Sequence, residues 1–392
     1  MKILYLNHNF KGEGTYFRAF NFAKGLALLG HDVSLFTMSP KKNFMTSSYM
    51  ESGVRITEFP KLLDIGAGGW APLDLICRML ICAVKKYDLV HAFAHKPTVY
   101  LPALLAKKLH KSTVLFSDWD DWWGRGGINK GGRMKLKTKT EDFLEEDIIK
   151  KADYVTATSV ALKTRALGLN VPQKRLFHIP SGCDINRIRP LQKKQIVSLK
   201  KKFSIDPKAG IMEFIGFGQA DLGIVIDGFI QAKSRIKNLV LLIVGPLEKK
   251  WEQKISDSCF KSDIIVTGKV PYDLVPEYAA MADICYLPLS DTPANRGRGP
   301  IKAGDYMAAG KPIIANPVGD ISEWIKKYRV GITADYSGKS IAEKTVFLFK
   351  NPGLMKKLGI NSRRTAENVL SWDKVSQKMA EAYKHAVSFK NK

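Results

Sequence analysis

Pro300-Ile-Lys-Ala-Gly-Asp-Tyr-Met-Ala-Ala-Gly-Lys-Pro-Ile-Ile-Ala315 reads as a short helix, a glycine stop at Gly310 and a strand from Pro312 to Ala315. Lys302 and Asp305 lie three residues apart at the start of that helix. A helix N-terminus offers unpaired N–H groups and the positive end of a dipole, so an anion such as a diphosphate can rest there beside Lys302. Asp305 is then placed to accept hydrogen bonds from the sugar hydroxyls of a nucleotide.

The helix-then-strand grammar of this stretch recurs on both sides of it. Towards the N-terminus, Ile211–Ile215, Leu239–Gly245, Asp263–Gly268 and Asp283–Pro288 read as strands separated by apolar-periodic helices. The first 190 residues follow the same rule: strands at Lys2–His8, His31–Thr37, Val54–Phe59, Asp88–Phe93, Ser112–Ser117, Tyr154–Ser159 and Arg175–Ile179, with helices such as Thr15–Leu29, Leu73–Val84 and Val99–Leu109 between them. Such alternation means parallel βαβ units, and ligands of such sheets sit beyond the carboxyl ends of the strands. Pro180-Ser-Gly-Cys-Asp184, followed by Arg187, Arg189 and Pro190, is turn-rich and marks a domain boundary. The chain therefore divides into an N-terminal domain (residues 1–185), a C-terminal domain (186–371) and a final helix (372–392). The fold class is α/β, with two doubly wound Rossmann-like domains facing across a cleft.

A chain of 392 residues is too long for one ordinary core. Its hydrophobic share of 45% and charged share of 25% are those of a globular protein. The longest apolar runs fall short of the ~20 residues that span a bilayer. Met1–Leu6 reads as a first strand rather than a signal peptide, so the expected location is cytoplasmic, free or on the cytoplasmic face of the membrane. Five cysteines without a C-x-x-C pair indicate neither a zinc site nor a disulfide framework. The net charge of +25 points to anionic partners, and five of the cations fall within Lys130–Lys139. That run, with Trp119, Trp122 and Trp123 nearby, suggests peripheral contact with an anionic membrane. No DNA- or RNA-reading motif accompanies the charge, so no specific nucleic-acid partner is expected.

The first βα turn contains Gly12-x-Gly14, but Phe17 stands where a dinucleotide fingerprint has its third glycine, and strand two ends in Thr37-Met-Ser-Pro40 without an acid. A nicotinamide or flavin site is disfavoured, whereas a loop whose N–H groups approach a phosphate or sugar stays open. His95 and the cluster Asp118-Trp-Asp-Asp-Trp-Trp123 both follow expected strands. Aromatic faces beside carboxylates hold sugar rings well, so Asp118, Trp119, Asp120 and Trp122 form a candidate acceptor site. Asp118-x-Asp120 also matches a metal-binding D-x-D pair, but a two-letter match is weak and no metal is expected.

Several of these pieces together resemble the family 4 glycosyltransferases of the two-Rossmann (GT-B) type. Pro300–Pro312 is similar to that family's nucleotide-sugar signature "P-x-K-x-x-E-Y-M-A-x-G-K-P", and Gly12–Val33 to its glycine-rich opening. Asp153–Ser159, Ile179–Asp184 and the pair Val266–Val270 with Met281–Pro288 resemble further family segments in the right order. The resemblance implies a retaining, metal-independent transferase without a cofactor, which moves a sugar from a nucleoside diphosphate donor to a glycan, glycolipid or lipid-linked acceptor, as in surface polysaccharide synthesis. It implies a final helix that crosses back to the first domain. It places donor-binding roles on Gly12, Gly14, Gly216, Gly218, Lys269, Lys302 and Asp305, and catalytic roles on His95, Asp118 and Lys302. The chain departs from the family where Phe217 and Leu222 replace the usual Arg and Lys, and where Gly297 and Asp305 replace a pair of glutamates. Arg296 and Arg298 are candidates to restore the lost positive charge, since guanidinium forks suit phosphate oxygens. A catalytically silent binding protein and a nucleotide-sugar epimerase of the same fold stay open as alternatives.

Overall fold

The computed structural model describes residues 1–41, 44–62, 69–124, 126–128, 135–216 and 221–390. Its contacts divide the chain into two compact units. The first holds Met1–Gly182, Thr292–Gly299 and Trp372–Lys392; the second holds Cys183–Asp291 and Pro300–Ser371.

The first unit is built on eight strands: β1 (Lys2–Phe10), β2 (Asp32–Met38), β3 (Ser47–Glu51), β4 (Val54–Phe59), β5 (Leu89–Phe93), β6 (Val114–Trp119), β7 (Tyr154–Ala157) and β8 (Leu176–His178). Their spatial order is β3-β4-β2-β1-β5-β6-β7-β8. All pairs are parallel except β3 with β4. Period-2 alternation sends Leu4 and Leu6 into one core and Ile3 and Tyr5 into another, so both faces of β1 are buried. Apolar runs such as Ile3–Leu6 are therefore continuous, as a sheet covered on both sides requires. The strand β3, Ser-Ser-Tyr-Met-Glu, has no such run and was not among the strands expected from the sequence. It forms because Ser52 (φ 50°) and Gly53 (φ 79°) make a two-residue turn with both φ angles positive, which returns the chain as a hairpin onto the sheet edge.

The final helix, Trp372–Lys390, packs on the helix Tyr16–Leu28 of this unit, as the family resemblance implies. Val375, Met379, Ala382, Tyr383 and Ala386 enter the core that contains Ala19, Phe22 and Ala23. Gly25 permits this approach, since a Cβ there would lie 2.1 Å from Ser376 Oγ. Trp372 meets the Phe22 ring edge-on at 5.4 Å. The Tyr383 and Tyr5 hydroxyls lie 2.8 Å apart beneath the helix.

The second unit has six parallel strands: β9 (Gly210–Ile215), β10 (Leu239–Val244), β11 (Ile264–Val266), β12 (Ile284–Leu287), β13 (Ile313–Ala315) and β14 (Gly331–Thr333). They lie in the order β11-β10-β9-β12-β13-β14. The chain thus winds outward in both directions from the β9–β12 pair in the second unit and from the β1–β5 pair in the first. Ligands of open α/β sheets bind at such reversals, beyond the carboxyl ends of the strands.

The core of the second unit includes an acidic side chain. Glu213, at the middle of β9, is fully buried; Oε2 accepts from Cys285 Sγ at 3.4 Å, and Oε1 has no partner among the described residues. Burial pushes its carboxyl from 4.5 up to about 8, with Cys285 and Lys311 opposing. The folded state then holds a proton that the unfolded state releases as pH rises from about 4.5 to about 8, so stability should fall across that window, by an amount on the order of a few kcal/mol. Glu213→Gln is expected to flatten the dependence and to raise the melting temperature at pH 8. A wild-type melting temperature that is level or rising over this range, and equal in the variant, would show that Glu213 is charged.

Candidate functional site

In the second unit, the loops after β9 and β10 and the start of the helix Ile301–Ala308 converge. The Gly216 N–H donates to the Val244 carbonyl at 2.9 Å. Gly245 follows with φ 138°, and a Cβ on it would fall 1.7 Å from the Gly216 carbonyl oxygen, so only glycine lets the two loops pass. On Gly216 a Cβ would sit 2.7 Å from Lys302 Nζ. The Lys302 ammonium is therefore held against bare backbone, 5.5 Å from the centre of the Phe214 ring. Tyr306 locks the helix in place by accepting the Ile215 N–H at 2.8 Å.

Asp305 lies one turn further on and is buried. Burial and the nearby Asp184 carboxylate push its carboxyl up to about 7, against the pull of Arg187 and Lys302. The Asp184–Arg187 part of this constellation was read from the sequence only as a linker. Asp184 Oδ1 accepts the backbone N–H groups of Asn186 and Arg187, a turn whose electrostatic effect on Asp305, 118 residues or more away in sequence, carries no local signal. Lys269 is exposed, one residue beyond Gly268, which bridges Gly245. The expected donor residue Gly218, and Phe217, lie outside the described residues. Leu222, where the family resemblance implies a cation, is buried in the core with Val225 and Ile226.

In the first unit, Gly12 (φ 84°) and Gly14 (φ 50°) turn the loop after β1. Asn9 organises it: its Oδ1 accepts the Thr15 N–H at 3.1 Å, and a Cβ on Gly14 would press on its amide at 2.9 Å. Thr15 in turn donates its hydroxyl to Asp120 Oδ2 at 2.8 Å. After β5 the chain turns through Ala94, a non-glycine residue at φ 90°, and delivers His95. Strain of this kind persists only where surrounding contacts enforce it.

His95 is buried, its Nε2 has no partner among the described residues, and its ring centre lies 6.4 Å from that of Trp123. Burial and the adjacent Lys96 charge hold it well below the usual histidine range, hence neutral. A second histidine shares this environment. His8, at the end of β1, is buried with Nδ1 unpartnered and is pushed down to about 3 by burial, Lys96 and Arg78. It was missed because Asn-His-Asn reads as the end of a strand. Only the parallel pairing of β1 with β5 makes it a neighbour of His95.

Two expected roles are corrected. Asp118, expected as a catalytic and acceptor-binding group, is buried in an ion pair: Arg18 Nε and Nη2 donate to its two oxygens at 2.8 and 2.9 Å, and Thr156 Oγ1 donates at 2.5 Å. Burial raises its affinity for a proton, but Arg18 and these hydrogen bonds outweigh that and hold its carboxyl below the ordinary range. Trp119, expected against a ligand, faces the core and donates its indole N–H to Glu145 at 2.9 Å. The alternation of β6 sends Asp118 and Trp119 to opposite faces, both of them covered. Asp120, just past the strand end, is half-buried; its carboxyl and that of Asp121 are pushed up by burial and by neighbouring carboxylates. Trp122 is half-buried with the Arg165 guanidinium 4.5 Å over its ring.

Arg296 and Arg298 sit on the segment Thr292–Gly299, which packs in this first unit: Ser159 Oγ donates to the Gly297 carbonyl at 2.9 Å, and a Cβ on Gly297 would meet that of Trp122 at 2.9 Å. The Arg298 charge acts on Asp121, opposing the rise in its pKa. Among the described residues, no three His, Cys, Asp or Glu side chains gather as a metal-holding group.

Comparison with known proteins agrees with this architecture. Residues 12–182 match the glycosyl transferase 4-like domain and residues 220–351 the glycosyl transferases group 1 domain. An uncharacterized glycosyltransferase of Methanocaldococcus jannaschii is 26% identical over 263 residues, 65% of each chain. A GDP-mannose-dependent alpha-(1-6)-phosphatidylinositol monomannoside mannosyltransferase of Mycobacterium tuberculosis is 25% identical over 244 residues, 58% of this chain and 61% of the relative. The matched regions thus span less than two thirds of these relatives. Among solved structures, Anabaena HepE in complex with UDP and glucose superposes with a TM-score of 0.73 at 16% identity, over 98% of this chain and 99% of that one. At that identity the likeness establishes the fold alone. With both halves matched in order and the fold shared throughout, the chain belongs to the family 4 glycosyltransferases of the two-Rossmann type.

Proposed function

We propose that the protein transfers a sugar from a nucleoside diphosphate sugar to a glycan, glycolipid or lipid-linked acceptor, with retention and without a metal. The observation that carries this reading is the lodging of Lys302 Nζ against the Gly216 backbone, with the buried Asp305 one turn along the same helix. As the bond from the anomeric carbon to the diphosphate breaks, negative charge grows on the leaving oxygens. A fixed cation beside helix N–H groups lowers that barrier without reorganising. Asp305 accepts hydrogen bonds from the ribose hydroxyls. The acceptor hydroxyl attacks from the side of the leaving group, and the departing phosphate takes its proton, which retains the anomeric configuration. Within the first unit, His95, neutral and with Nε2 unpartnered among the described residues, is suited to hydrogen-bond an acceptor hydroxyl without adding charge. The mycobacterial relative's name, with its nucleotide-sugar donor and lipid acceptor, supports the choice of substrate classes.

The burial of Leu222 where the family resemblance implies a phosphate-binding cation favours a second reading, a binding protein without turnover. A thermal-shift screen with nucleoside diphosphate sugars separates the two when paired with a transfer assay, since a ligand that binds only the folded state raises the melting temperature. Stabilisation together with transfer supports the enzyme, stabilisation alone supports the binding protein, and no shift with any donor removes both. Because the Asp305 carboxyl titrates at about 7, and its carboxylate form accepts the ribose bonds, affinity for a sugar nucleotide should rise between pH 6 and 8. Asp305→Asn is expected to abolish that rise; a wild-type affinity independent of pH would remove Asp305 from the ribose.

A further inference from the structure

The helix Pro72–Val84 is inverted relative to an ordinary surface helix. Its only charged residues, Asp74 and Arg78, are completely buried and paired with each other. Arg78 also donates to the Asn7 and Thr98 carbonyls at 2.7 and 3.3 Å, and its guanidinium lies 4.9 Å from the centre of the Phe59 ring. Outward, at helical spacing, stand Ile76 (55% exposed), Leu80 (64%) and Val84 (81%). Such an i, i+4, i+8 stripe forms one continuous apolar face about 12 Å long. Water is a poor neighbour for it, and an apolar stripe of that size marks an interaction surface.

A ring of cations borders one end of the stripe. Lys85 and Lys86 follow Val84 directly and are exposed. His110 Nε2, 3.2 Å from the Cys82 carbonyl, brings the end of the helix Pro97–Leu109 alongside, with Lys108 and Lys111 exposed there. The helix Pro72–Val84 offers no exposed acid against them. No helix among the described residues is long and apolar enough to cross a membrane. An apolar face with flanking lysines suits a surface that is greasy below and anionic above. Two copies of a chain with net charge +25 repel each other, whereas an anionic leaflet attracts it.

We propose that the outer face of the helix Pro72–Val84 docks on an anionic lipid bilayer, with Ile76, Leu80 and Val84 entering the interface and Lys85, Lys86, Lys108 and Lys111 engaging the headgroups. This deepens the reading of a membrane-borne acceptor, on which it rests, and it replaces Trp119, which is buried, as the apolar anchor. Of the other expected element, the run Lys130–Lys139, residues 130–134 lie outside the described residues.

The test is co-sedimentation of the full chain with vesicles of phosphatidylcholine, with or without phosphatidylglycerol, and no sugar nucleotide present. Its outcome is therefore independent of whether transfer occurs. The wild type is expected to bind the anionic vesicles alone, less as salt rises. The variant Ile76→Ser/Leu80→Ser/Val84→Ser should lose on the order of 100-fold in partition coefficient, and Lys85→Gln/Lys86→Gln on the order of tenfold, both at an unchanged melting temperature. Full vesicle binding by the serine variant overturns the proposal, as does absence of binding by the wild type at low salt. Concentration-dependent dimers in light scattering that the serine variant abolishes would assign the face to a second copy of the chain and overturn it equally.

Discussion

Lys302→Ala is expected to lower the transfer rate by about 10²–10³-fold, the usual loss when one preorganised charge-stabilising donor is removed from a transition state. The side chain is half-buried at the first turn of Ile301–Ala308, where its ammonium meets Gly216. Its removal leaves the Tyr306–Ile215 bond that holds the helix in place, so the melting temperature should stay close to that of the wild type. Steady-state kinetics with a saturating donor, set beside a thermal melt, separate the two effects. Wild-type turnover in this variant would take Lys302 out of the mechanism, and a large drop in melting temperature would make its role structural.

Asp118→Ala should cost about 3–5 kcal/mol of folding stability, because it leaves the Arg18 guanidinium buried without its counter-charge. Arg18 keeps its bond to the Ile179 carbonyl at 2.8 Å, but a carbonyl dipole does not replace a carboxylate. The loss extends along a buried chain of hydrogen bonds. Thr156 connects Asp118 to His91 Nε2 at 3.1 Å, and His91 Nδ1 meets Tyr383 of the final helix at 2.5 Å. The paired replacement Arg18→Met with Asp118→Leu should recover most of the loss, since well-packed apolar groups often equal a buried ion pair. Urea denaturation of the three variants checks this. If Asp118→Ala unfolds at the wild-type midpoint yet loses transfer activity, Asp118 acts on the substrate after all. The depressed carboxyl pKa adds a pH dependence: the stability it contributes is present above the ordinary aspartate range and is lost as pH falls through the folded-state value.

The amino-acid sequence by itself determined the alternation of strands and helices, the two-unit architecture and the helix that carries Lys302 and Asp305. These follow from local physics: apolar runs of strand length, helical spacing, and glycines where φ must be positive. The inverted helix Pro72–Val84 shows where local physics ends. Its apolar residues recur at helical spacing whichever way it faces, so the sequence located the helix but could not say that Arg78 and Asp74 point inward and Ile76, Leu80 and Val84 outward. Strand β3 failed for the opposite reason, because an exposed edge strand needs no apolar alternation and is held by its turn and its partner β4. The roles at Asp118, Trp119 and His8 were decided by tertiary structure alone. Whether a carboxylate or a histidine is free depends on partners brought in from elsewhere in the chain: Arg18 lies 100 residues from Asp118, and β5, which pairs with β1, delivers His95 beside His8. Sequence spacing carries no record of such distant pairings, and charge, burial and proton affinity at the site are set by them.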